Sequence, residues 1–358
     1  MKDRKIGFFS VAFMYVGTIM GAGFASGREI WQFFGVFGQR GLAGVAFVAI
    51  LFVIVGIMIS MITIKINDND MGKVIVPAGN DKLVRLVGYF MAFILYIVLI
   101  TMSAAGGALF NQQFGMEKSI GGIIIVVLVI ATVIGGFERI SHVFRYIMPV
   151  LLIVVIGTCI AVIMVSSPKD VTGVTIKPSP LASNWIFNPI LYLSYNMLAI
   201  IPIVSTAAIS AKNARSAIGG AALGGICLGF LALVLAMAML TDPLFSQSMD
   251  MPMLAYSTRL GKVANLVYTF VLMFAIYSSA TGNFYGFTTI LKDNKRKNLI
   301  IVIVALVAFV FGLVGFKNIV AYVFPISGFL GLAIIVLITI NFVQLVIMNK
   351  GDKNERNQ

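Results

Sequence analysis

The chain has 358 residues, 60% of them hydrophobic and 11% charged, with a mean hydropathy of +1.02. That balance excludes a water-soluble globular domain and describes an integral membrane protein whose surroundings are the lipid bilayer. The formal net charge of +13 is therefore not a nucleic-acid footprint, and no nucleic-acid partner is expected; what matters is which loops carry the Lys and Arg.

Ten apolar segments reach the roughly 20 residues that a spanning helix needs. They run at about 7–37, 41–64, 84–110, 119–137, 143–166, 186–210, 217–240, 262–291, 298–316 and 318–349. With the N-terminus inside, 18 Lys and Arg fall in cytoplasmic loops and tails and 7 in external ones. This asymmetry predicts a multi-pass protein of the cell membrane with both termini cytoplasmic. The basic start and the small residues at Gly23-Phe24-Ala25 also fit a cleaved signal peptide, but cleavage would leave nine spans and spoil the asymmetry.

The first segment is too long for a straight crossing, since at about 1.5 Å per residue it would extend on the order of 46 Å. It also contains "VGTIMGAGFASGREIWQFF", in which Gly21, Gly23 and Gly27 precede the adjacent charges Arg28 and Glu29. The third segment carries the small-residue run "SAAGG" from Ser103 to Gly107. The fifth has no charge between Tyr146 and Pro168, and its Cys159, like Cys227 in the seventh, reads as a packing residue without metal-ligand neighbours. The sixth, "NWIFNPILYLSYNMLAIIPIVS", is interrupted by Asn188, Pro189, Ser194, Tyr195, Asn196 and Pro202. The stretch "DPLFSQSMDMPMLAYSTRLG" before the eighth suits an external lid, and the eighth itself reads "FAIYSSATGNF".

Ten spans divide into two sets of five, about 1–166 and 167–349, followed by a cytoplasmic tail at 350–358. The whole chain is one transmembrane domain. Interruptions at matching positions of two halves point to a central binding site, and unwinding is expected near Gly21 to Gly23 and near Ser194 to Asn196. A broken helix in a membrane leaves N–H and C=O groups that need protein, trapped water or a ligand. One such break offers N–H groups to a carboxylate and carbonyls to a cation. Close helix packing through small residues is the competing account of the glycines.

The run "GTIMGAGF", Gly17 to Phe24, resembles the G-x-I-x-G-x-G-x motif in the first helix of the amino acid–polyamine–organocation superfamily. The longer "GAGFASGREIWQFF" is similar to its YkvI-type membrane proteins. The resemblance implies an all-α integral membrane fold of ten transmembrane helices, the LeuT-type 5+5 inverted repeat with helices 1 and 6 broken. It further implies a solute site at Gly21, Ala22, Gly23 and Phe24, completed by Ser194 and Tyr195; from the residues themselves, Asn196 fits a bond to the solute or to another helix, and Ser103 on the third span fits the pocket lining or close packing.

In sodium-coupled members of this fold, first-helix carbonyls face a small-x-x-hydroxyl-hydroxyl pattern in the eighth helix. Here that correspondence gives Gly17 and Met20 opposite Ala275, Ser278 and Ser279. Serine pairs also occur in membrane helices simply to bond neighbouring backbone. Sodium as coupling ion is the one cofactor-like group implied, and no other metal is expected. Arg28 and Glu29 fit either an external gate or an interhelical salt bridge, and as sequence neighbours they point about 100° apart. Glu29, Glu138 and His142 are the proton candidates.

No nucleotide loop, cysteine-histidine cluster or paired carboxylates within one span suggest an enzyme. The expected function is secondary active transport of a small organic solute, an amino acid or similar zwitterion, by sodium-coupled symport. The alternatives are a nutrient-sensing subunit resembling those of spore germinant receptors and a proton-coupled or uncoupled carrier.

Overall fold

The computed structural model describes residues 6–76, 81–135, 138–166, 176–288, 291 and 295–348, and the side chains at 81, 135, 138–148, 347 and 348 fall outside that description. The side chains of Glu138 and His142 and the tail at 350–358 therefore lie outside the described residues. The described chain is helical throughout, apart from its turns and a single bridge between Ile6 and Ala211.

The first apolar segment is three pieces: α1 (Phe8–Ile19), α2 (Ala22–Ala25) and α3 (Arg28–Phe33). There follow α4 (Gln39–Ile66), the short α5 (Met71–Ile75), α6 (Asp81–Phe114), α7 (Lys118–Gly135) and α8 (Glu138–Val165). The second half contains α9 (Asn188–Ser210), α10 (Ala214–Met239), the small α11 (Pro243–Ser248) and α12 (Pro252–Thr258), then α13 (Lys262–Thr288) and α14 (Lys297–Gly312). Last come α15 (Phe316–Asn318), a π-helical turn at Ile319–Val323, and α16 (Phe324–Phe342). Among the described residues six helices are long and apolar enough to cross a membrane: Gln39–Ile66, Lys82–Phe114, Asn188–Ser210, Ala214–Met239, Lys262–Thr288 and Phe316–Val346. Shorter apolar helices at Phe8–Ile19, Lys118–Ile134, Pro149–Val165 and Lys297–Gly312 occupy the other expected segments.

The sixth expected span differs from its reading. α9 is continuous through Ser194, Tyr195 and Asn196, so helix 6 is not broken there. Asn188 and Pro189 open the helix rather than interrupt it, proline being well suited to a first turn that needs no N–H. Inside, the Ser194 hydroxyl donates to the Ile190 carbonyl at 2.8 Å and the Asn196 amide to the Tyr192 carbonyl at 2.9 Å. Polar side chains that bond their own helix four residues back are compatible with helix in hydrocarbon. Pro202 is carried within α9, and the Thr206 hydroxyl donates to its carbonyl at 2.8 Å.

The bundle closes through small residues, as expected where hydrophobicity alone cannot drive helices together. α4 and α10 pack along their length, with Gly225 pressed on the backbone of Phe52 and Val53. α16 crosses α9 where Gly331 meets the Ser194 carbonyl. α1 lies against α9 and α10, whereas α2 turns toward α13 and α6. The broken segment thus occupies the middle of the bundle, and its residues from Ala22 to Val36 are all buried.

A Cβ at Gly225 would sit 2.7 Å from the Val53 nitrogen, while one at Gly88 has open space. Gly225→Ala is expected to lose about 1–3 kcal/mol by overpacking against backbone. Gly88→Ala should be neutral or gain up to about 1 kcal/mol of helix propensity. Thermal unfolding of the two purified variants in one detergent checks the contrast.

Candidate functional site

The first break follows Ile19. Met20 leaves helical geometry at ψ 53°, its N–H still reaching the Val16 carbonyl at 3.1 Å, and the Gly21 N–H turns back to the Ile19 carbonyl at 2.6 Å. The regular ladder then stops. Among the described residues no backbone hydrogen bond reaches the carbonyls of Gly17, Thr18 or Met20, or uses the N–H groups of Ala22, Gly23 or Phe24. Free acceptors and free donors therefore flank one gap in the hydrogen-bond ladder, in the middle of the bundle.

At a second break, Ser26–Gly27, the freed carbonyls are all taken up, while the Glu29 and Ile30 N–H groups have no backbone partner among the described residues. Gly27 adopts φ +78°, a left-handed conformation that glycine accepts without steric cost. Ser26 donates its hydroxyl to the Gly23 carbonyl at 3.1 Å, and that hydroxyl accepts the Arg28 N–H at 3.3 Å. The Ser26 carbonyl accepts the Met253 N–H at 2.9 Å, and Tyr268 donates to the Ala25 carbonyl.

The structure brings some of the sequence-derived candidates together. Gly21 faces α13, its Cα so placed that a Cβ would stand 3.2 Å from the Ser279 hydroxyl oxygen. Ser278 donates to the Ala275 carbonyl at 3.2 Å. Gly17, Gly21, Ser278 and Ser279 are half-buried, while Met20, Ala22, Gly23, Phe24 and Ala275 are buried. Partial exposure is thus confined to the α1 end of the break and the facing Ser278 and Ser279, while the chain from Ala22 to Val36 is buried.

Other candidates lie elsewhere. Ser103 packs against Gly122 of α7 and Gly312 of α14, and its neighbour Met102 is the residue that turns toward Gly21. The Ser194 carbonyl is covered by Gly331, and Asn196 bonds its own helix. Tyr195 stacks on Phe324 with ring centroids 4.4 Å apart.

Arg28 and Glu29 diverge. Arg28 is 1% exposed and turns outward, donating to the Met249 carbonyl at 3.2 Å and to the Gln32 side chain at 3.4 Å. Glu29 turns inward, accepting from the Tyr192 hydroxyl at 3.3 Å. Its Oε1 lies 1.8 Å from where a Cβ on Gly23 would be. Gly23 is therefore a glycine because the Glu29 carboxyl rests on its backbone, a constraint distinct from ligand access.

The segment α11–α12 seals the α3 side. Gln247 accepts from the Trp31 indole at 2.6 Å through its side chain and from Lys317 at 2.7 Å through its carbonyl. Gln112 exchanges two bonds with the Met251 backbone, at 2.9 and 3.1 Å, and Lys118 pairs with Asp250. Arg259 holds Asp242 at 2.9 Å and lies over the rings of Phe245 and Tyr256. Burial pushes the Tyr256 phenol above its usual range, keeping it a neutral hydrogen-bonding group. Sequence reading missed Tyr192, Trp31, Gln112 and Gln247. Tyr192 had a signal, since it lies three residues before Tyr195 and so shares its helix face.

An apolar helical bundle whose first membrane helix opens onto a half-covered polar gap defines a membrane protein of the LeuT-type fold. Solved structures carry that assignment. The inward-facing conformation of Mhp1 matches with a TM-score of 0.62 at 10% identity, covering 94% of this chain and 76% of Mhp1. The Eremococcus coleocola manganese transporter, in complex with an aromatic bis-isothiourea substituted compound, matches at 0.52 and 14% identity, covering 95% and 77%. In sequence, the chain is similar to two Bacillus subtilis (strain 168) proteins. The uncharacterized membrane protein YkvI is 27% identical over 289 residues, 80% of this chain and 81% of YkvI. The uncharacterized protein YyaD is 25% identical over 309 residues, 86% and 88% of the two chains. No family model matches. Among these relatives and neighbours the chain stands as a membrane protein that shares its fold with the solved manganese transporter.

The contact between Gly23 and Glu29 is testable as a coupled pair. Gly23→Ala should destabilise by about 1–3 kcal/mol through overpacking. In a Glu29→Ala background the added methyl has room, so the second substitution should cost less than it does alone. A double-mutant cycle read by thermal unfolding is expected to give a coupling of about 0.5–3 kcal/mol.

Proposed function

We propose that the chain is a secondary active transporter of a small organic solute, an amino acid or similar zwitterion, working by alternating access in a cell membrane with both termini cytoplasmic. The observation that carries this reading is the gap at Met20–Gly21. Its free N–H groups at Ala22, Gly23 and Phe24 suit the carboxylate of the solute, while the free carbonyl of Thr18 suits its ammonium and those of Gly17 and Met20 a coupling cation. Both ends of a zwitterion are thereby accommodated by backbone alone.

The ten apolar helices fit ten crossings in two opposed sets of five, 1–166 and 167–349, with the first helix as the broken one. Partial exposure at the α1 end of the break and the seal formed by α11–α12 fit a carrier closed toward the outside. A neighbouring structure is a manganese transporter, but the gap here offers backbone groups, hydroxyls and one carboxyl. Transition metals are usually held by nitrogen, sulfur or several carboxylates, and the organic solute is the better fit.

Sodium is the proposed coupling ion, held by the carbonyls of Gly17, Met20 and Ala275 and the hydroxyls of Ser278 and Ser279. The Ser278 hydroxyl now spends its proton on the Ala275 carbonyl. A cation would turn both oxygens to itself, as hard cations prefer oxygen ligands.

A thermal-shift screen of amino acids and amines on the purified protein, in sodium chloride and in choline chloride at equal ionic strength, tests both parts. A zwitterion should raise the unfolding temperature, and sodium should tighten its binding by roughly 5- to 150-fold, the usual range of such couplings. Ser278→Ala with Ser279→Ala should erase that factor and leave sodium-free affinity nearly unchanged. No shift with any amino acid would remove the solute assignment, and equal affinities in the two salts would remove sodium.

A further inference from the structure

Glu29 is a buried acid that no cation accompanies. It is 3% exposed, and among the described residues no Lys, Arg or His side chain pairs with it. Arg28, its neighbour, directs its two terminal NH2 groups to the Met249 carbonyl and Gln32, and its buried Nε has no partner among the described residues. The elements packed against α3 bring few ionisable groups. α2 and the turn at Gly35–Phe37 have none, and α9 brings Tyr192 and Tyr195. The titratable residues of α10 are Arg215 and Cys227, while the contact with α3 lies toward the opposite end, near Met239. The π-helical turn brings Tyr322, which is 48% exposed. Glu29 thus faces two phenols and the Gly23 backbone.

An ionised carboxylate in such surroundings is costly unless a cation or strong donors compensate it. The Tyr192 phenol at 3.3 Å, with the Tyr195 phenol beside it, makes only a modest donor set. The carboxyl nevertheless rests on the Gly23 backbone, two residues past the half-buried Gly21 at the break, so a rearrangement of the break would change its access to water.

We propose that Glu29 is a proton-exchange site of the transport cycle, neutral as seen here and ionised when water enters the gap. In that step the carboxyl O–H bond breaks, the proton passes to water, and the electron pair remains on the carboxylate, where the Tyr192 hydroxyl continues to donate to it. The place of this step in a cycle rests on the transport reading above; the protonation itself can be measured without any solute.

The experiment is infrared difference spectroscopy of the full chain in lipid, titrated with acid and base as the only probe. Exposed carboxyls are ionised at neutral pH, so a protonated carboxyl C=O band at that pH should stand out. The band is expected in the unmodified protein, absent in Glu29→Gln, and lost on titration to alkaline pH. Tyr192→Phe should move its frequency, because the partner hydroxyl is gone. If Glu29→Gln fails to fold, that frequency change identifies the same carboxyl. No band at neutral pH, a band that survives Glu29→Gln, or one that Tyr192→Phe leaves in place would overturn the neutral assignment. A band that never titrates would overturn exchange. None of these outcomes depends on whether the amino-acid screen succeeds.

Discussion

In hydrocarbon a peptide N–H or C=O without a partner costs several kcal/mol, and this constraint organises the whole molecule. It forces nearly every apolar segment into continuous helix, and it makes each departure from helix informative. The two departures in the first segment are treated differently. At Ser26–Gly27 the freed carbonyls are taken up by Ser26, Tyr268 and Met253. At Met20–Gly21 three carbonyls and three N–H groups are left without backbone partners. The unmatched carbonyls are what set the first break apart, since at the second only the Glu29 and Ile30 N–H groups lack a backbone partner among the described residues.

The first helix was legible in the sequence because its signals agreed. It was too long, it carried Gly21, Gly23 and Gly27 just before a charged pair, and those charges could not both face lipid. The sixth was misread because Asn, Ser and Pro signal interruption only when their side chains have no local partner. In α9 the hydroxyl of Ser194 and the amide of Asn196 satisfy themselves on their own helix, and Pro189 stands at the first turn. Residue type was visible in the sequence; the direction of the side chain was not.

The same limit applies to the candidate site. The resemblance implied Ser278 and Ser279 opposite Gly17 and Met20, and in the structure it is Gly21 that Ser279 faces. Sequence reading failed for Ser103 and for the Ser194 carbonyl, whose faces are decided by Gly122, Gly312 and Gly331 on helices far away in sequence. Long-range glycine contacts of this kind leave no local pattern. The role of Gly23 was half legible: the need for a missing side chain could be read, whereas its occupant, the Glu29 carboxyl, could not.

Ser26 gives these parts a mechanical relation. Its hydroxyl grips the Gly23 carbonyl at the rim of the gap, and its own carbonyl grips the Met253 N–H at the base of the sealing segment. One residue is thus the pivot of a rigid strut between seal and gap, with Gly27 as the bend that permits it. Displacement of α12 is transmitted to α2 through two hydrogen bonds in series. The outer cover and the inner floor of the gap belong to a single lever.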